Sequence, residues 1–309
     1  MKRRTFIKDA SVLGFLAGSS FAIAGSVPTG RDAASAGNPL RPPAKGGIPV
    51  AFLVSDGAVV IDFAGPWEVF QDAAVAGRPD GAFSLYTVAE SSRVIRASGG
   101  LRITPDYTFA TAPAPKVIVI PAQNDATDAV KEWIRASSKN ADVTMSVCTG
   151  AFLLASTGLL AGRSATTHHT GYKRLAIAYP DVHVRRGARF VEDGNIASSG
   201  GLTAGIDLAL RVVERYFGRE VAQKTAYGME YQGLGWLSSD SNAVYAAVPM
   251  SGSNSTCAVC DMDIDPATAV NSAYKGRTYY FCMQSHKDLF DKTPDLYLAS
   301  AQETARGAL

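Results

Sequence analysis

What most constrains this chain is a set of short apolar runs spaced along it. Ile48–Ser55 (IPVAFLVS) is of the buried-strand type, and Lys116–Pro121 (KVIVIP) is another short, fully apolar run. Phe83–Val88 reads as a strand between them. Asp142–Val147 (DVTMSV) is a strand running straight into Cys148, and Asn195–Ser199 is strand-like. Helical patterns fill the gaps. Gly65-Pro66 opens one that runs through Trp67, Val69 and Phe70; Asp128–Ala136 is a second, with Val130 and Trp133 inward. Gly150–Ser156 is a third, and Ala204–Tyr216 is strongly amphipathic, with Ile206, Ala209, Leu210 and Val213 at helical spacing. Strands alternating with helices predict an α/β fold, a parallel sheet with helices on both faces.

At 309 residues the chain has room for about two domains. Its 47% hydrophobic and 19% charged content excludes disordered, collagen-like and multi-span membrane classes. The net charge of +2 comes from the N-terminus, where the first 36 residues hold five basic and two acidic side chains. Without them the chain is slightly acidic, so nucleic acid and anionic lipid are not expected partners.

The N-terminus reads as an address. Arg3-Arg4 and Thr5-Phe6-Ile7-Lys8 precede an apolar stretch, about Ala10 to Ala24, too short and too rich in Gly and Ser for a good membrane span. The pattern resembles a twin-arginine export signal. It implies the twin-arginine export machinery as a partner, a periplasmic mature protein and no stable membrane insertion after cleavage. Ala22 and Ala24, or Ala34 and Ala36, offer cleavage points. The expected organisation is signal and cleavage region 1–36, linker 37–47, sheet domain 48–237, a Ser-, Gly- and Asn-rich linker 238–254, and a tail domain 255–305.

Cys148 stands where a strand meets a helix with no loop between them. Such a turn strains the central residue and presents its side chain at the C-terminal edge of the sheet. A thiol at a helix N-terminus is expected to have a lowered pKa, and the amides after it could hold an oxyanion. The same pattern also suits a buried cysteine in tight strand–helix packing. The run from Ile48 to about Glu220 resembles the DJ-1/PfpI superfamily, with its class I glutamine-amidotransferase-like, flavodoxin-like sheet sandwiched by helices. Val147-Cys148-Thr149-Gly150, then Gly158 to Arg163 and Ala165-Thr166-Thr167-His168, resemble isonitrile hydratases and the amidase-like sensor domains of AraC-type regulators. The resemblance implies that Cys148 is the reactive residue, that Asp62 in the segment Gly57 to Val69 points at its sulfur, and that Thr149 positions reactants. It also implies a small-molecule substrate, and homodimers are common in such families. No cofactor is expected at Cys148. His168 lies where a histidine approaches the cysteine in related proteins, and Gly65 and Gln123 are the further candidates for the pocket and oxyanion hole. Two departures stand out. Thr149 replaces the histidine of peptidase-like members, which disfavours peptidase chemistry. Pro121-Ala122-Gln123 replaces a Pro-Gly-Gly turn, which reshapes the oxyanion hole or puts an amide side chain into the pocket.

The other three cysteines crowd the tail. Cys257-x2-Cys260, 21 intervening residues and Cys282-x3-His286 supply three thiols and an imidazole, enough for a tetrahedral metal site; a Cys257–Cys260 disulfide is the alternative. The surroundings, from Cys257 through Tyr279-Tyr280-Phe281 to Tyr297, resemble a YHS domain, a small metal-binding α+β module. Met262 and Met283 suit copper(I) as well as zinc. Two functions are thus expected: an exported thiol enzyme with hydratase-like chemistry and an accessory metal module, or a metal-handling or redox-sensing protein. A transcription regulator is disfavoured, because the tail offers a metal motif where a DNA-binding region would follow.

Overall fold

The first apolar run forms β1 (Ile48–Leu53), and its side chains alternate between two cores. Ile48, Val50 and Phe52 join one cluster; Ala51 and Leu53 join another on the opposite face. A strand apolar on both faces must be covered on both. The computed structural model describes residues 39–124, 126–246 and 255–298, and there the cover is helical. The export signal and cleavage points expected in residues 1–36 lie outside the described residues.

In chain order, β1 is followed by α1 (Val60–Asp72), β2 (Phe83–Ala89), β3 (Tyr107–Thr108), β4 (Val117–Ile120), α2 (Asp128–Ser138) and β5 (Val143–Val147). Then come α3 (Gly150–Ser156), α4 (Tyr172–Ala178), β6 (Phe190–Asp193), β7 (Ile196–Ser199), α5 (Ala204–Phe217) and α6 (Arg219–Gly228). The sheet order is β6-β7-β5-β4-β1-β2-β3, parallel except for the hairpin of β6 with β7. Chain direction across the sheet reverses between β1 and β4, so the loops leaving their C-terminal ends part and leave a crevice at that edge.

One helix differs from the expectation. α1 starts at Val60, ahead of the Gly65-Pro66 pair expected to open it, and carries Pro66 inside. Proline there removes the amide that would bond the Asp62 carbonyl. Packing outweighs that loss: Phe63, Pro66, Val69 and Phe70 are buried, and α1 lies so close to α5 that a Cβ on Gly65 would sit 2.9 Å from Ile206 Cγ1. Gly65 is therefore a helix-packing residue, which corrects its expected place in the pocket or oxyanion hole.

The tail folds around the hairpin β8 (Val270–Tyr274) and β9 (Arg277–Phe281), followed by α7 (Gln284–Lys292). Phe290 is fully buried at its centre, against the rings of Tyr279 and Phe281. The tail docks on the region of α4. Ile177 packs on its core, and Lys173 Nζ donates to the Ala258 carbonyl at 2.8 Å. Asp261 meets Lys173 Nζ at 3.4 Å and Arg186 Nη2 at 3.8 Å. Among the described residues, no helix is long and apolar enough to cross a membrane.

Candidate functional site

Two residues separate β5 from α3, and Cys148 makes the turn with φ at +58°. That left-handed conformation costs a residue with a side chain about 1–2 kcal/mol. The surroundings hold it there. The Cys148 N–H donates to the Gly200 carbonyl at 3.0 Å, and Thr167 Oγ1 donates to the Cys148 carbonyl at 2.9 Å. Gly150 is pressed against the end of β4, where a Cβ would sit 2.3 Å from the Ile120 carbonyl oxygen, so only glycine fits. The backbone N–H groups of Thr149 and Leu202 both favour the Cys148 thiolate, and the Thr149 side chain does so as well. Leu202 is itself left-handed, with φ at +52°, in the Gly200–Leu202 turn after β7.

Asp62 lies in the first turn of α1 and is fully buried. Its Oδ2 accepts the Ala122 N–H at 3.1 Å, while Oδ1 has no hydrogen-bond partner among the nitrogens and oxygens of the described residues. Burial pushes its pKa up to about 6, against the opposing pull of the Ala122 amide and of the Cys148 thiol. Burial, and then the charge of Asp62, push the Cys148 thiol up to about 11, which outweighs the favourable N–H groups. This corrects the expected lowering of the Cys148 pKa. A helix N-terminus favours thiolate, but this thiol is only 8% exposed and faces a carboxylate. The site thus sets a buried thiol beside a buried carboxyl, each with its pKa raised.

His168 supports the Gly200–Leu202 turn. Its ring packs on Gly201, where a Cβ would come within 2.2 Å of Cδ2, and Nδ1 lies 2.9 Å from Thr170 Oγ1. Burial lowers its pKa, and the neighbouring His169 ring, 4.2 Å away, lowers it further. Gln123 turns elsewhere, into a cavity of about 370 Å³ whose lining includes Ser55 but none of Cys148, Asp62 and Thr149. Sequence reasoning assigned no role to Thr167, Leu202 or Ser55. Thr167 stands inside the quoted Ala165–His168 motif, and Gly200-Gly201 flags a tight turn before Leu202, whereas nothing local marks Ser55.

In the tail, one ligand atom each from Cys257, Cys260, Cys282 and His286 lies within 4.8 Å of the others. Cys260 Sγ is 3.7 Å from Cys282 Sγ, and His286 Nδ1 is 3.6 Å from Cys257 Sγ and 3.2 Å from Cys282 Sγ. With Zn–S about 2.3 Å and Zn–N about 2.0 Å, tetrahedral edges are about 3.5–3.8 Å, so the donor set fits such an ion. None of the four cysteines forms a disulfide. His286 is buried and turned to the thiols, which places it with the cysteines. Hydrogen bonds from Cys260 and then His286 pull the Cys257 thiol down, while the hydrogen bond to Cys257 and then burial push Cys260 up.

Residues 49–215 match the DJ-1/PfpI family model and residues 258–301 match the YHS domain model. The chain is 31% identical over 194 residues to an isonitrile hydratase of Pseudomonas putida, covering 60% of this chain and 78% of that enzyme. It is 29% identical over 178 residues to the HTH-type transcriptional regulator GbdR of Pseudomonas aeruginosa, covering 56% of this chain and 48% of the regulator, so it spans about half of that relative's length. A crystal structure of a ThiJ/PfpI family protein from Pseudomonas syringae superimposes with a TM-score of 0.54 at 28% identity, over 61% of this chain and 76% of that one. The family match thus carries the sheet and the strained Cys148 turn together, across more than half of the 309 residues, and the chain belongs to the DJ-1/PfpI family.

Proposed function

We propose that this protein is a thiol enzyme that hydrates an isonitrile or a related small electrophile, with a metal-binding tail as an accessory module. The observation that carries the reading is the pairing of Cys148, held in a left-handed strand–helix turn, with the buried carboxyl of Asp62. The 31% identity to an isonitrile hydratase supports it. A carboxyl with a pKa near 6 is ionised at neutral pH and suited to accept the thiol proton as sulfur attacks. In the first step a C–S bond forms to the terminal carbon of the isonitrile, and the proton passes through Asp62 to that carbon, giving a thioimidate. Water then adds across the C=N bond, its proton going to nitrogen. The C–S bond breaks, the hydroxyl proton returns to sulfur through Asp62, and an N-substituted formamide leaves. Thr149 and the N–H groups of Thr149 and Leu202 face the sulfur and steady the charge on it. The protein with an alkyl isonitrile should form the formamide, read by proton NMR. Formation no faster than with Cys148→Ser would overturn the reading.

The tail would hold one zinc or copper ion through Cys257, Cys260, Cys282 and His286; such an ion ties the module together. The protein would reach the periplasm by the twin-arginine route and would act as a dimer. Arg3→Lys with Arg4→Lys tests the route: export of that double variant at the wild-type level would refute it.

The Cys3His cluster favours one alternative, a periplasmic metal-handling or thiol redox-sensing protein without turnover. Stoichiometric metal uptake, with no formamide formed at any metal occupancy, would replace the first reading with this one.

A further inference from the structure

The crevice where the sheet reverses, between the ends of β1, β2 and β4, is a built pocket. Its volume is about 370 Å³, and Leu53, Ile95, Phe109 and Val130 give it apolar walls. Two residues of its lining carry buried polar atoms without partners among the described residues. Ser55 is 8% exposed and its hydroxyl makes no hydrogen bond there; both amide atoms of Gln123 are likewise buried and unbonded. Leaving such groups unpaired in an apolar crevice costs about 1–3 kcal/mol each, so they mark where a ligand's polar atoms belong.

The charged groups of the rim are already engaged. Glu90 Oε2 accepts from Thr127 Oγ1 at 2.9 Å, and Arg93 pairs with Asp56 at 2.8 Å. What remains to be satisfied is one carbonyl, one N–H₂ and one hydroxyl. A carboxylate would satisfy the donors but set its charge against Gln123 Oε1 and near Glu90. An ammonium would leave the Gln123 N–H₂ unpaired. A carboxamide offers C=O and N–H together and matches both ends of the Gln123 amide. Open parallel sheets bind ligands at this place, outside the carboxyl ends of the strands where the order reverses.

We propose that this crevice binds an uncharged amide carrying a short apolar tail, at a site distinct from the Cys148 thiol. The proposal does not rest on the hydratase reading, because binding is measured in a chain that cannot use the thiol. The full-length Cys148→Ala protein would be titrated calorimetrically with pentanamide, pentanoate and pentylamine. Pentanamide should bind at least about tenfold more tightly than either charged probe. Gln123→Leu should weaken pentanamide about tenfold or more, and Ser55→Ala by a smaller factor, without lowering the melting temperature of either variant. Equal binding of all three probes, no binding of pentanamide, or an unchanged pentanamide affinity in Gln123→Leu would each overturn the assignment. So would a marked loss of stability in both variants, since the two side chains would then be structural.

Discussion

This chain carries two cysteine sites built on opposite logic. Cys148 stands alone between a strand and a helix, buried beside one carboxyl, and its thiol is pushed up to about 11. Cys257 stands among two more thiols and an imidazole; hydrogen bonds from Cys260 and His286 lower its pKa, while those of Cys260 and Cys282 are raised. Both are buried, and burial is the largest push on Cys148, with the Asp62 charge second; at Cys257 hydrogen bonds from its neighbours outweigh the same push. In the proposed reaction proton transfer from Cys148 to Asp62 frees the sulfur for attack, whereas the tail gathers four soft donor atoms within 4.8 Å of one another.

The sharpest way to break this contrast is to remove each site and look at the other. Cys148→Ser should lower isonitrile turnover by roughly a thousandfold or more while metal content, measured by mass spectrometry, stays at one ion per chain. Stripping the metal with a chelator should do the reverse. Amide exchange should accelerate across Cys257–Lys292 and leave β1, β4 and β5 protected, with a loss of local stability of several kcal/mol. Unfolding of the sheet domain on chelation would show that the two sites do not separate.

The smaller effects concern protons. Asp62 has a raised pKa in the folded chain, so the folded state binds its proton more tightly than the unfolded state. That contribution to stability is complete below about pH 4 and is lost as pH rises through about 6. Asp62→Asn should thus stabilise the protein by about 3 kcal/mol at pH 8 and by little at pH 4, read as denaturation midpoints. In the same variant, alkylation of Cys148, followed against pH with the tail thiols metal-bound, should shift to lower pH, since the charge that holds its proton is gone. A shift to higher pH would mean that Asp62 is protonated and donates to the sulfur. The smallest expected effect is at the docking contact, where Lys173→Met should cost about 1–2 kcal/mol of tail stability.

Much of this was legible in the chain. Ile48–Ser55 and Lys116–Pro121 announced buried strands because a strand covered on both faces admits no polar alternation. Cys148 announced its turn because Val147 and Gly150 leave no residues for a loop. What stayed hidden depends on distant parts of the chain. The start of α1 was misplaced because Pro66 is a local signal, whereas the contact of Gly65 with Ile206 is not. The direction of the Cys148 pKa was misread because the helix position is visible in sequence but the depth of burial is not. Leu202 and Ser55 act only through the turn and the crevice that three separate strands assemble.

The grip of Lys173 on the Ala258 carbonyl has a consequence beyond holding the tail in place. Ala258 lies inside the Cys257–Cys260 turn, so a side chain of α4 fixes the backbone from which two of the four ligands project. Were the cluster to hold an ion, docking and ion binding would be linked equilibria that share one free energy of coupling. Whatever factor docking adds to the affinity for the ion, the ion must return to the affinity of the tail for the sheet domain. The sheet domain would then act as an allosteric ligand of the metal-loaded tail, and the ion as a clasp between the two parts.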